Sequence, residues 1–380
     1  MSAPTLGSLP RTAVNGEDDR SSPFAERPVL VFWETTKACL LACQHCRARA
    51  QREPLPGELS TEEGEAFLRQ IADFGRPSPV VVFTGGDLLM RADIFHLLDV
   101  AQALGLRSAI APSATPLLTR EALTQLFARD IHSLSLSLDG PKAVHDRIRG
   151  VSGTYEAVIS QVRAARETGF TVQINTVVMR STVAYLADVA ALLLAEGVHV
   201  WEVFFLIATG RALADEYLEP DEWDDVCRFL LNATQYGLLV RTVEGPFVRR
   251  VLREDEPSAG GALYRRLSAR LRDRLGAPVR TTQLARTGTL DGDGIIFVAH
   301  DGTISPGGFL PLPLGNVRQD HVVSVYRTAP LLRSIRARRF RGKCGVCPLR
   351  RVCGGSRARA YAATGDPLES DPACPYQPTS

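Results

Sequence analysis

Two hydrophobic periods alternate along the first two thirds of the chain. In "HSLSLSLD" (132–139) leucines alternate with polar residues, as in a strand, whereas "STEEGEAFLRQIADFG" (60–75) places apolar residues three and four positions apart, as in a helix. Strand-like runs recur at 29–34, 79–84, 107–112, 132–139, 171–178 and 200–207, with helical segments between them. This repeat predicts an α/β fold with a parallel sheet and right-handed crossovers.

The polar positions of these strands fall on one face. Ser133, Ser135, Ser137 and Asp139 share one face of the fourth strand, and its leucines share the other. Leucines belong against helices, so we expect the polar face to line a lumen. A partial (β/α)6 TIM-like barrel with a ligand at the carboxyl ends of its strands fits this arrangement. The alternatives are an open doubly wound sheet and polar side chains that are satisfied locally.

The pattern divides the chain into four segments. We expect a disordered tail over 1–27, which is rich in Ser, Pro, Gly and charged residues, and the barrel over 28–240. Residues 241–290 show no clear period and are expected to connect the barrel to a smaller module over 291–380. That module begins with a predicted β-hairpin whose turn is Asp301-Gly302.

Bulk composition narrows the classes of function. The 380 residues are 45% hydrophobic and 23% charged with a formal net charge of +2, an ordinary globular composition. Balanced charge disfavours a nucleic-acid partner, and no apolar run approaches the roughly 20 residues that span a bilayer. The N-terminus lacks the apolar core of a secretory signal. We therefore expect a cytoplasmic protein that binds neither nucleic acid nor membrane.

The eight cysteines are clustered rather than dispersed. Three lie at 39–46, four lie at 344–374, and Cys227 stands alone in a helical segment, where it is expected to be a buried apolar residue. In a reducing compartment such clusters bind metal more often than they form disulfides. The first cluster, C-x3-C-x2-C, directly follows the first strand. In a parallel barrel this position lies at the end that binds ligands.

Three thiolates suit an iron–sulfur cube better than zinc. A structural zinc takes four ligands, and His45 is the candidate fourth, but His45 is adjacent to Cys46 and neighbouring side chains converge poorly on one ion. A [4Fe–4S] cluster takes one thiolate per iron, so Cys39, Cys43 and Cys46 would leave one iron open to a substrate or cofactor.

This cysteine motif resembles the signature of the radical S-adenosylmethionine (SAM) superfamily, with His45 at the customary aromatic position before the third cysteine. The resemblance extends over roughly residues 29–210. It implies that the open iron chelates SAM and that a flavodoxin- or ferredoxin-type protein donates the electron that splits SAM. The resulting 5′-deoxyadenosyl radical then abstracts hydrogen from a substrate.

The same resemblance implies a set of SAM-binding residues at the ends of later strands. They are Gly85, Gly86, Asp87, Ser137, Asp139, Asn175 and Gly210. The first three match the family's Gly-Gly-Glu motif, which holds the SAM amino group, with Asp87 in place of the usual Glu. Ser137 and Asp139 match residues that approach the ribose and carboxylate, and Gly210 is expected near the adenine.

The second cluster, Cys344, Cys347, Cys353 and Cys374, has the spacing C-x2-C-x5-C-x20-C. Zinc ribbons usually pair two short knuckles, so zinc is the lesser alternative. Beside a radical SAM barrel this spacing resembles the C-terminal auxiliary-cluster extensions called SPASM and twitch domains. Full SPASM domains carry a further cysteine in the preceding hairpin, where this chain has Pro306-Gly307. The resemblance therefore implies one auxiliary [4Fe–4S] cluster with four cysteine ligands.

The span 321–365 contains no Asp or Glu but many basic residues. These are Arg327, Arg333, Arg336, Arg338, Arg339, Arg341, Lys343, Arg350, Arg351, Arg357 and Arg359. One interpretation is compensation of thiolate charge together with a solvated helix face. The other is a site for an anionic substrate whose carboxylates pair with guanidinium groups. Nucleic acid is a third, weaker interpretation.

The C-terminal stretch 344–378 and the segment "SPGGFLPLPLGNVR" (305–318) resemble radical SAM enzymes of the alternative haem and denitrification haem pathways. This implies a tetrapyrrole substrate whose propionates are oxidatively decarboxylated or removed, with the auxiliary cluster carrying an electron away. A maturase of a ribosomally made peptide is the main alternative, followed by a dehydrogenase or decarboxylase of a sugar or antibiotic precursor. An electron carrier would need no open iron on a large barrel.

Overall fold

The computed structural model describes residues 22–254, 259–278 and 289–378, so most of the predicted tail lies outside it. The strands are β1 (Leu30–Glu34), β2 (Val80–Thr84), β3 (Arg107–Ile110), β4 (Ser133–Ser137), β5 (Thr171–Val178), β6 (Val200–Phe205), β7 (Leu239–Val243), β8 (Leu290–Asp291), β9 (Gly294–Val298), β10 (Thr303–Ser305) and β11 (Gly315–Asn316). The helices of the barrel region are α1 (Thr61–Ala72), α2 (Ile94–Ala103), α3 (Arg120–Phe127), α4 (Lys142–Arg149), α5 (Thr154–Thr168), α6 (Leu186–Ala195) and α7 (Pro220–Thr234). Those that follow are α8 (Val248–Val251), α9 (Ala262–Leu275), α10 (Val322–Thr328), α11 (Pro330–Arg336), α12 (Gly342–Val346) and α13 (Arg357–Thr364).

The sheet confirms the predicted parallel α/β architecture. Strands β1 to β7 are parallel neighbours in chain order, and β1 to β6 correspond to the six predicted strands. Strand β7 extends the sheet by one unit beyond the prediction. In β4, Leu134 and Leu136 are buried, whereas the alternating serines Ser135 and Ser137 line a cavity. The two-residue period of the sequence thus separates the helix side of the sheet from its lumen.

Local signals define the helix ends. Ser60 accepts a hydrogen bond from the Glu63 N–H, and the Glu63 carboxylate accepts one from the Ser60 N–H, which forms a capping box before α1. Helix α5 ends at Gly169, whose φ of +110° lies in the left-handed region. Among the described residues, no helix has both the length and the apolar character needed to cross a membrane.

The C-terminal hairpin joins the barrel sheet directly. Strand β9 runs parallel to β1, with Leu30 opposite Ile295, and β10 returns antiparallel to β9. Gly302 has φ +82° at the predicted Asp301-Gly302 turn, so the predicted hairpin is present. One sheet therefore reaches from β7, at one edge of the barrel, to β11 in the C-terminal module.

The segment between the barrel and the hairpin contains a helix that was not predicted, because the sequence of the segment is rich in charged residues. Helix α9 buries Leu263, Leu267 and Leu271, which recur every four residues between arginines, and it packs on α6 and α7. Part of the predicted connecting segment, 255–258 and 279–288, lies outside the described residues. The helix covers the outer surface of the barrel, on the far side of the sheet from the lumen.

Candidate active site

One cavity of about 230 Å³ opens at the carboxyl ends of the barrel strands. The loop after β1 contributes Cys39, Cys43 and Cys46 to its wall. The segments after β2 and β3 and the later parts of β4, β5 and β6 also line it, together with residues of α4 and α5, the segment after β6 and Phe309. Cys39 and Cys43 are buried and Cys46 is half-buried. The structure thus brings the three predicted ligands of the open cluster to one shared space.

The Gly-Gly-Asp segment holds the start of the cysteine loop. The Gly86 N–H donates to the Thr36 carbonyl at 2.8 Å, and the Asp87 N–H donates to the Ala38 carbonyl at 2.7 Å. A β-carbon on Gly86 would lie 2.4 Å from the Ala38 oxygen, and one on Gly85 would lie 2.6 Å from the Thr36 oxygen. Only glycine permits this approach of two backbones, and both glycines also line the cavity.

Gly210 and Arg211 hold the end of the same loop. A β-carbon on Gly210 would lie 2.3 Å from the Cys46 carbonyl oxygen, and the Arg211 N–H donates to that oxygen at 3.0 Å. The Arg211 Nε donates to the Cys43 carbonyl at 2.9 Å. Arg211 lies on the cavity wall, whereas the backbone of Gly210 lies against the cysteine loop. The contact of Gly210 with adenine stays a prediction.

Each of the three thiols receives a hydrogen bond at its sulfur. The bonds are Leu41 N–H to Cys39 Sγ at 3.4 Å, Ala50 N–H to Cys46 Sγ at 3.4 Å, and Arg149 Nη1 to Cys43 Sγ at 3.7 Å. Donors aimed at sulfur stabilise thiolates and tune iron–sulfur clusters. The residues present therefore fit a cluster held by three thiolates.

A single metal ion and an iron–sulfur cluster require different spacings of their ligands. Within the described ranges, no three His, Cys, Asp or Glu side chains are grouped closely enough to hold one metal ion. A cube places each thiolate on a different iron, so its ligands are spread more widely than those of a single ion.

A buried ion pair lies behind Cys43. Arg149 Nη2 is 2.6 Å from the Asp139 carboxylate, which also accepts from the Val177 N–H at 3.1 Å. Burial raises the pKa of Asp139, but attraction to Arg149 and to two histidines, together with the Val177 hydrogen bond, outweighs burial, and the pKa lies below its ordinary value. The carboxylate is therefore ionised and occupied by protein groups. The structure places Asp139 behind the cavity wall, where it positions Arg149, and its contact with SAM stays a prediction.

The Asp87 side chain is likewise enclosed by protein groups. Its carboxylate is fully buried and accepts hydrogen bonds from Thr115 Oγ1 at 2.7 Å and from the Leu89 N–H at 3.2 Å. Burial raises the pKa of Asp87, and these hydrogen bonds oppose the shift. The side chain joins the loops after β2 and β3 and is not among the residues that line the cavity. Its contact with a SAM ammonium stays a prediction.

Ser137 and Asn175 lie on the wall of the cavity, as predicted, together with Ser135. The Asn175 Oδ1 accepts from Gln173 Nε2 at 2.8 Å, and Gln173 also donates to Glu202 at 2.9 Å. Burial raises the pKa of Glu202. The lumen is therefore polar and internally hydrogen-bonded below the cavity, while the serines remain at its surface.

Some functional candidates were missed by reasoning from the sequence. Ser113, after β3, lies with its Oγ 3.5 Å from the Cys39 sulfur and donates to the Gly86 carbonyl at 2.8 Å. No sequence signal marks it. Arg211 adjoins the predicted Gly210, so its position in "ATGRA" was an available signal.

Four buried polar atoms of cavity-lining residues have no hydrogen-bond partner in the described part of the chain. They are Arg211 Nη2, Arg149 Nε, His45 Nδ1 and His145 Nε2. Burial lowers the pKa of His45 to about 4, so the imidazole is neutral at pH 7. Buried polar groups are normally satisfied, and orphaned ones at a cavity wall indicate a polar ligand. This observation fits a bound SAM or an anionic substrate.

Backbone N–H groups donate hydrogen bonds to the sulfurs of three C-terminal cysteines, Cys344, Cys353 and Cys374. The Asp371 N–H donates to Cys344 Sγ at 3.5 Å, and a β-carbon on Gly355 would lie 3.2 Å from the same sulfur. The Gly355 N–H bonds to Cys353, and burial raises the pKa of that thiol to about 12. Burial also raises the pKa of Cys374. Backbone N–H groups aimed at sulfur again fit ligands of an iron–sulfur cluster.

Many of the C-terminal arginines turn inward. Arg357 and Arg359 are each only 1% exposed. Arg359 pairs with Asp371 at 2.9 Å and donates to the Glu244 carbonyl at 2.7 Å. Arg357 donates to Cys344 Sγ at 3.7 Å and to two backbone carbonyls of the tail. For these inward residues the geometry favours a structural, charge-compensating role over a substrate site.

Two buried carboxyl groups meet between the cavity and the C-terminal cysteines. Asp291 and Glu244 share a hydrogen bond, and Glu244 also accepts from Ser356 Oγ at 2.5 Å. Burial and the neighbouring Glu244 raise the pKa of Asp291 well above its ordinary value. Because two adjacent buried carboxyl groups cannot both ionise cheaply, the pair favours retention of one proton.

Comparison with known proteins adds to this geometry. The radical SAM superfamily matches residues 33–193. The AdoMet-dependent heme synthase of Oleidesulfovibrio alaskensis is 34% identical over 375 residues, covering 97% of this chain and 91% of that protein. The AdoMet-dependent heme synthase of Nitratidesulfovibrio vulgaris is 35% identical over 374 residues, covering 97% of this chain and 96% of that protein.

More distant similarities extend beyond haem synthases. The mycofactocin maturase MftC of Mycobacterium tuberculosis is 28% identical over 354 residues, covering 92% of this chain and 83% of that protein. The crystal structure of Streptococcus suis SuiB bound to S-adenosylmethionine aligns with a TM-score of 0.66 at 18% identity, covering 92% of this chain and 78% of SuiB. At that identity the likeness shows the fold alone.

Proposed function

This chain belongs to the radical SAM superfamily, and on that premise we propose that it oxidatively decarboxylates the propionate side chains of a tetrapyrrole. The observation that carries the proposal is the arrangement of Cys39, Cys43 and Cys46 around one cavity, each with a hydrogen bond at its sulfur. A [4Fe–4S] cluster on these thiols, with SAM, supplies the 5′-deoxyadenosyl radical that abstracts hydrogen.

The cavity residues have separate tasks in this proposal. Gly85 and Gly86 keep the cysteine loop close to the sheet, and Gly210 with Arg211 fixes its far end. Arg211 Nη2 offers an unused N–H to an anionic group of a ligand. Ser137 and Asn175 on the wall are proposed to contact the polar part of SAM. Apolar wall residues from β6 and the C-terminal module limit access of water.

The wall of the cavity carries a guanidinium group that is suited to a carboxylate-bearing substrate. Arg47 lines the cavity and is held from behind by Glu34 at 2.9 Å and by the Phe297 ring, whose centroid is 4.6 Å from the guanidinium carbon. A guanidinium fixed in this way is suited to pairing with a carboxylate. Relatives named AdoMet-dependent heme synthase, which are 34% and 35% identical over nearly the whole chain, support a tetrapyrrole as the carrier of that carboxylate.

Oxidative decarboxylation releases an electron that needs an acceptor, and the second cysteine set is the candidate site for that acceptor. When a propionate loses one hydrogen atom and then CO2, one electron is left over as the vinyl group forms. We infer that Cys344, Cys347, Cys353 and Cys374 hold an auxiliary [4Fe–4S] cluster that accepts this electron. Sulfur-directed N–H groups from Asp371 and Gly355 support this inference. The module over 291–380 would then remove electrons from chemistry performed in the barrel over 28–240, in the cytoplasm.

The proposal is tested on anaerobically reconstituted protein. Iron, sulfide and zinc per chain are measured first, and dithionite with SAM is then added to detect 5′-deoxyadenosine. Two clusters correspond to roughly eight irons per chain. Iron coproporphyrin is offered as substrate, and mass spectrometry follows the loss of CO2 from its propionates. About four irons with zinc in the tail would contradict the auxiliary cluster and leave the SAM site standing.

Matched cysteine variants separate the two sites. Changing Cys39, Cys43 or Cys46 to Ala is expected to abolish 5′-deoxyadenosine while about half of the iron remains. Cys353→Ala is expected to remove the other half and to leave cleavage of SAM intact. Unchanged cleavage of SAM in the Cys43→Ala variant would sink the assignment of the active site.

A peptide maturase is the second candidate, because the relative MftC is named as a maturase and is 28% identical over 92% of this chain. The same assay decides between them. Vinyl products from iron coproporphyrin support the tetrapyrrole. Cleavage of SAM without any change in the tetrapyrrole, and with modification of a co-expressed precursor peptide, would support the maturase.

A further inference from the structure

Arg47 directly follows Cys46 and lines the cavity, where its side chain keeps 19% of its surface exposed. Its Nη2 lies 2.9 Å from Glu34 Oε2, and its guanidinium carbon lies 4.6 Å from the centre of the Phe297 ring. In the part of the chain that the structure describes, the guanidinium has no other ion pair or hydrogen bond. Because a guanidinium carries five N–H groups in a planar fork, most of the donors of Arg47 are available to a ligand.

The C-terminal hairpin brings a histidine to the other oxygen of Glu34. Strands β1 and β9 run parallel with Trp33 opposite Val298, so Glu34 at the end of β1 and His300 just after β9 meet at the same end of the sheet. His300 Nδ1 lies 3.1 Å from Glu34 Oε1, and the His300 carbonyl accepts a hydrogen bond from the Leu59 N–H at 2.8 Å. The side chains of Glu34 and His300 are only 2% and 10% exposed.

The charge of Glu34 defines the direction of these contacts. Burial raises the pKa of Glu34, but attraction to Arg47, the hydrogen bond and charge of His300, and Lys37 outweigh burial, and the pKa lies below its ordinary value. The ionised carboxylate can only accept, so His300 Nδ1 donates the proton of their hydrogen bond. A carboxylate with both oxygens free pairs with two donors of a guanidinium. Since His300 occupies Oε1, Glu34 holds Arg47 through Oε2.

We propose that His300 is a positioning residue for substrate recognition: through Glu34 it holds Arg47 with the remaining N–H groups of the guanidinium toward the cavity, where they pair with a carboxylate of the substrate. This inference rests on the proposed function, in which a tetrapyrrole supplies that carboxylate. It makes the C-terminal hairpin a determinant of specificity at a site in the barrel. SAM carries a carboxylate as well, so the test must separate the two ligands.

The test measures binding on anaerobically reconstituted full-length protein without dithionite. Absorbance titrations give the Kd of iron coproporphyrin and of its tetramethyl ester, which keeps the macrocycle but carries no carboxylate, in the same detergent. Calorimetry gives the Kd of SAM. His300→Leu removes the Nδ1 donor, whereas His300→Asn keeps an N–H donor at a similar distance from the backbone. His321→Leu, which removes a more exposed histidine–carboxylate pair with Asp73, is the matched control.

We expect His300→Leu to raise the Kd of iron coproporphyrin about tenfold, because Arg47 can then pair with both oxygens of Glu34. The Kd of the ester and the Kd of SAM should not change, and His300→Asn and His321→Leu should resemble the wild type. Arg47→Met should also weaken binding of the porphyrin acid. Adding His300→Leu to Arg47→Met should have no further effect, because His300 acts through Arg47.

Equal losses for the acid and the ester would overturn the proposal, because they would show a general structural role of His300. A raised Kd for SAM would assign Arg47 to the SAM carboxylate instead. A further loss in the double variant would show that His300 acts independently of Arg47. If the wild type binds the porphyrin acid and His300→Leu binds it equally well, this inference fails and the proposed function stands. If the wild type binds neither acid nor ester, the proposed function fails and this inference fails with it.

Discussion

The Arg149 guanidinium lies 3.7 Å from the Cys43 sulfur and 2.6 Å from the Asp139 carboxylate, so one buried cation joins the end of β4 to the cysteine loop. Two amides of that loop also donate to carbonyls at the end of α4, Ala42 to Arg149 at 3.0 Å and Gln44 to Ile148 at 2.9 Å. The position of the loop is therefore set by an element more than one hundred residues further along the chain.

Arg149→Met should destabilise the protein and shift the first cluster. Asp139 would be left as an unpaired buried charge, which costs about 3–5 kcal/mol. Loss of a cationic N–H donor at Cys43 should also lower the reduction potential of the cluster. Thermal unfolding and a redox titration check these effects. Arg147→Met on the exposed face of the same helix is the control, and equal behaviour of the two variants would contradict the role given to Arg149.

Gly86→Ala should remove the first cluster without unfolding the barrel. The added methyl group would lie 2.4 Å from the Ala38 oxygen and 2.7 Å from the Lys37 oxygen, so the cysteine loop must move away from the sheet. We expect about half of the iron to be lost and 5′-deoxyadenosine formation to cease. Gly57→Ala, where a β-carbon meets nothing within 4 Å but the backbone has φ +86°, controls for backbone strain without a clash and should keep both clusters. Normal iron content in Gly86→Ala would refute the packing argument.

Asp371→Asn should affect only the auxiliary module. Asp371 pairs with the fully buried Arg359 and accepts from the Ser356 N–H at 2.7 Å, while its own N–H donates to Cys344. An uncompensated buried guanidinium should disorganise this segment, with loss of the auxiliary iron but retention of SAM cleavage. Iron analysis and electron paramagnetic resonance measure the outcome. Asp366→Asn, which removes a more exposed pair with Arg341, should keep both clusters.

Asp291→Asn should reduce the dependence of stability on pH. Burial and Glu244 raise the folded-state pKa of Asp291 above its unfolded value of about 4. Stability from this group is therefore fully present below pH 4 and is lost as pH rises toward the folded pKa. The variant should lose less stability than the wild type between about pH 5 and 8.

Unfolding midpoints across this range test the prediction, together with the infrared carbonyl band of a protonated carboxyl group at neutral pH. The band should weaken in Asp291→Asn. Asp273→Asn on the exposed face of α9 should change neither measurement. A wild-type protein without the infrared band would show that the pair is ionised.

The hydrophobic periodicity was sufficient to predict the barrel, because it depends only on which face of each strand or helix is buried. The two-residue alternation in β4 is satisfied within the strand, with leucines toward helices and serines toward the lumen. Helix α9 escaped prediction because its buried leucines are separated by arginines that cover the helix surface. Strand β7 escaped because the segment after it, with Glu244 at φ +56°, lacks the regular period of the earlier units.

The sequence by itself determined the parallel α/β barrel, the family and the two cysteine sets, because cysteine spacing and hydrophobic period are local properties. Only the tertiary structure decided which carboxylates face the cavity. Asp87 and Asp139 stand at the predicted strand ends, yet each is buried under partners from other elements, Thr115 and Arg149. It also decided that Arg357 and Arg359 are internal whereas Arg350 and Arg351 remain outside. Long-range pairing and burial decide the orientation of a charged side chain, and neither is encoded in the spacing of its neighbours.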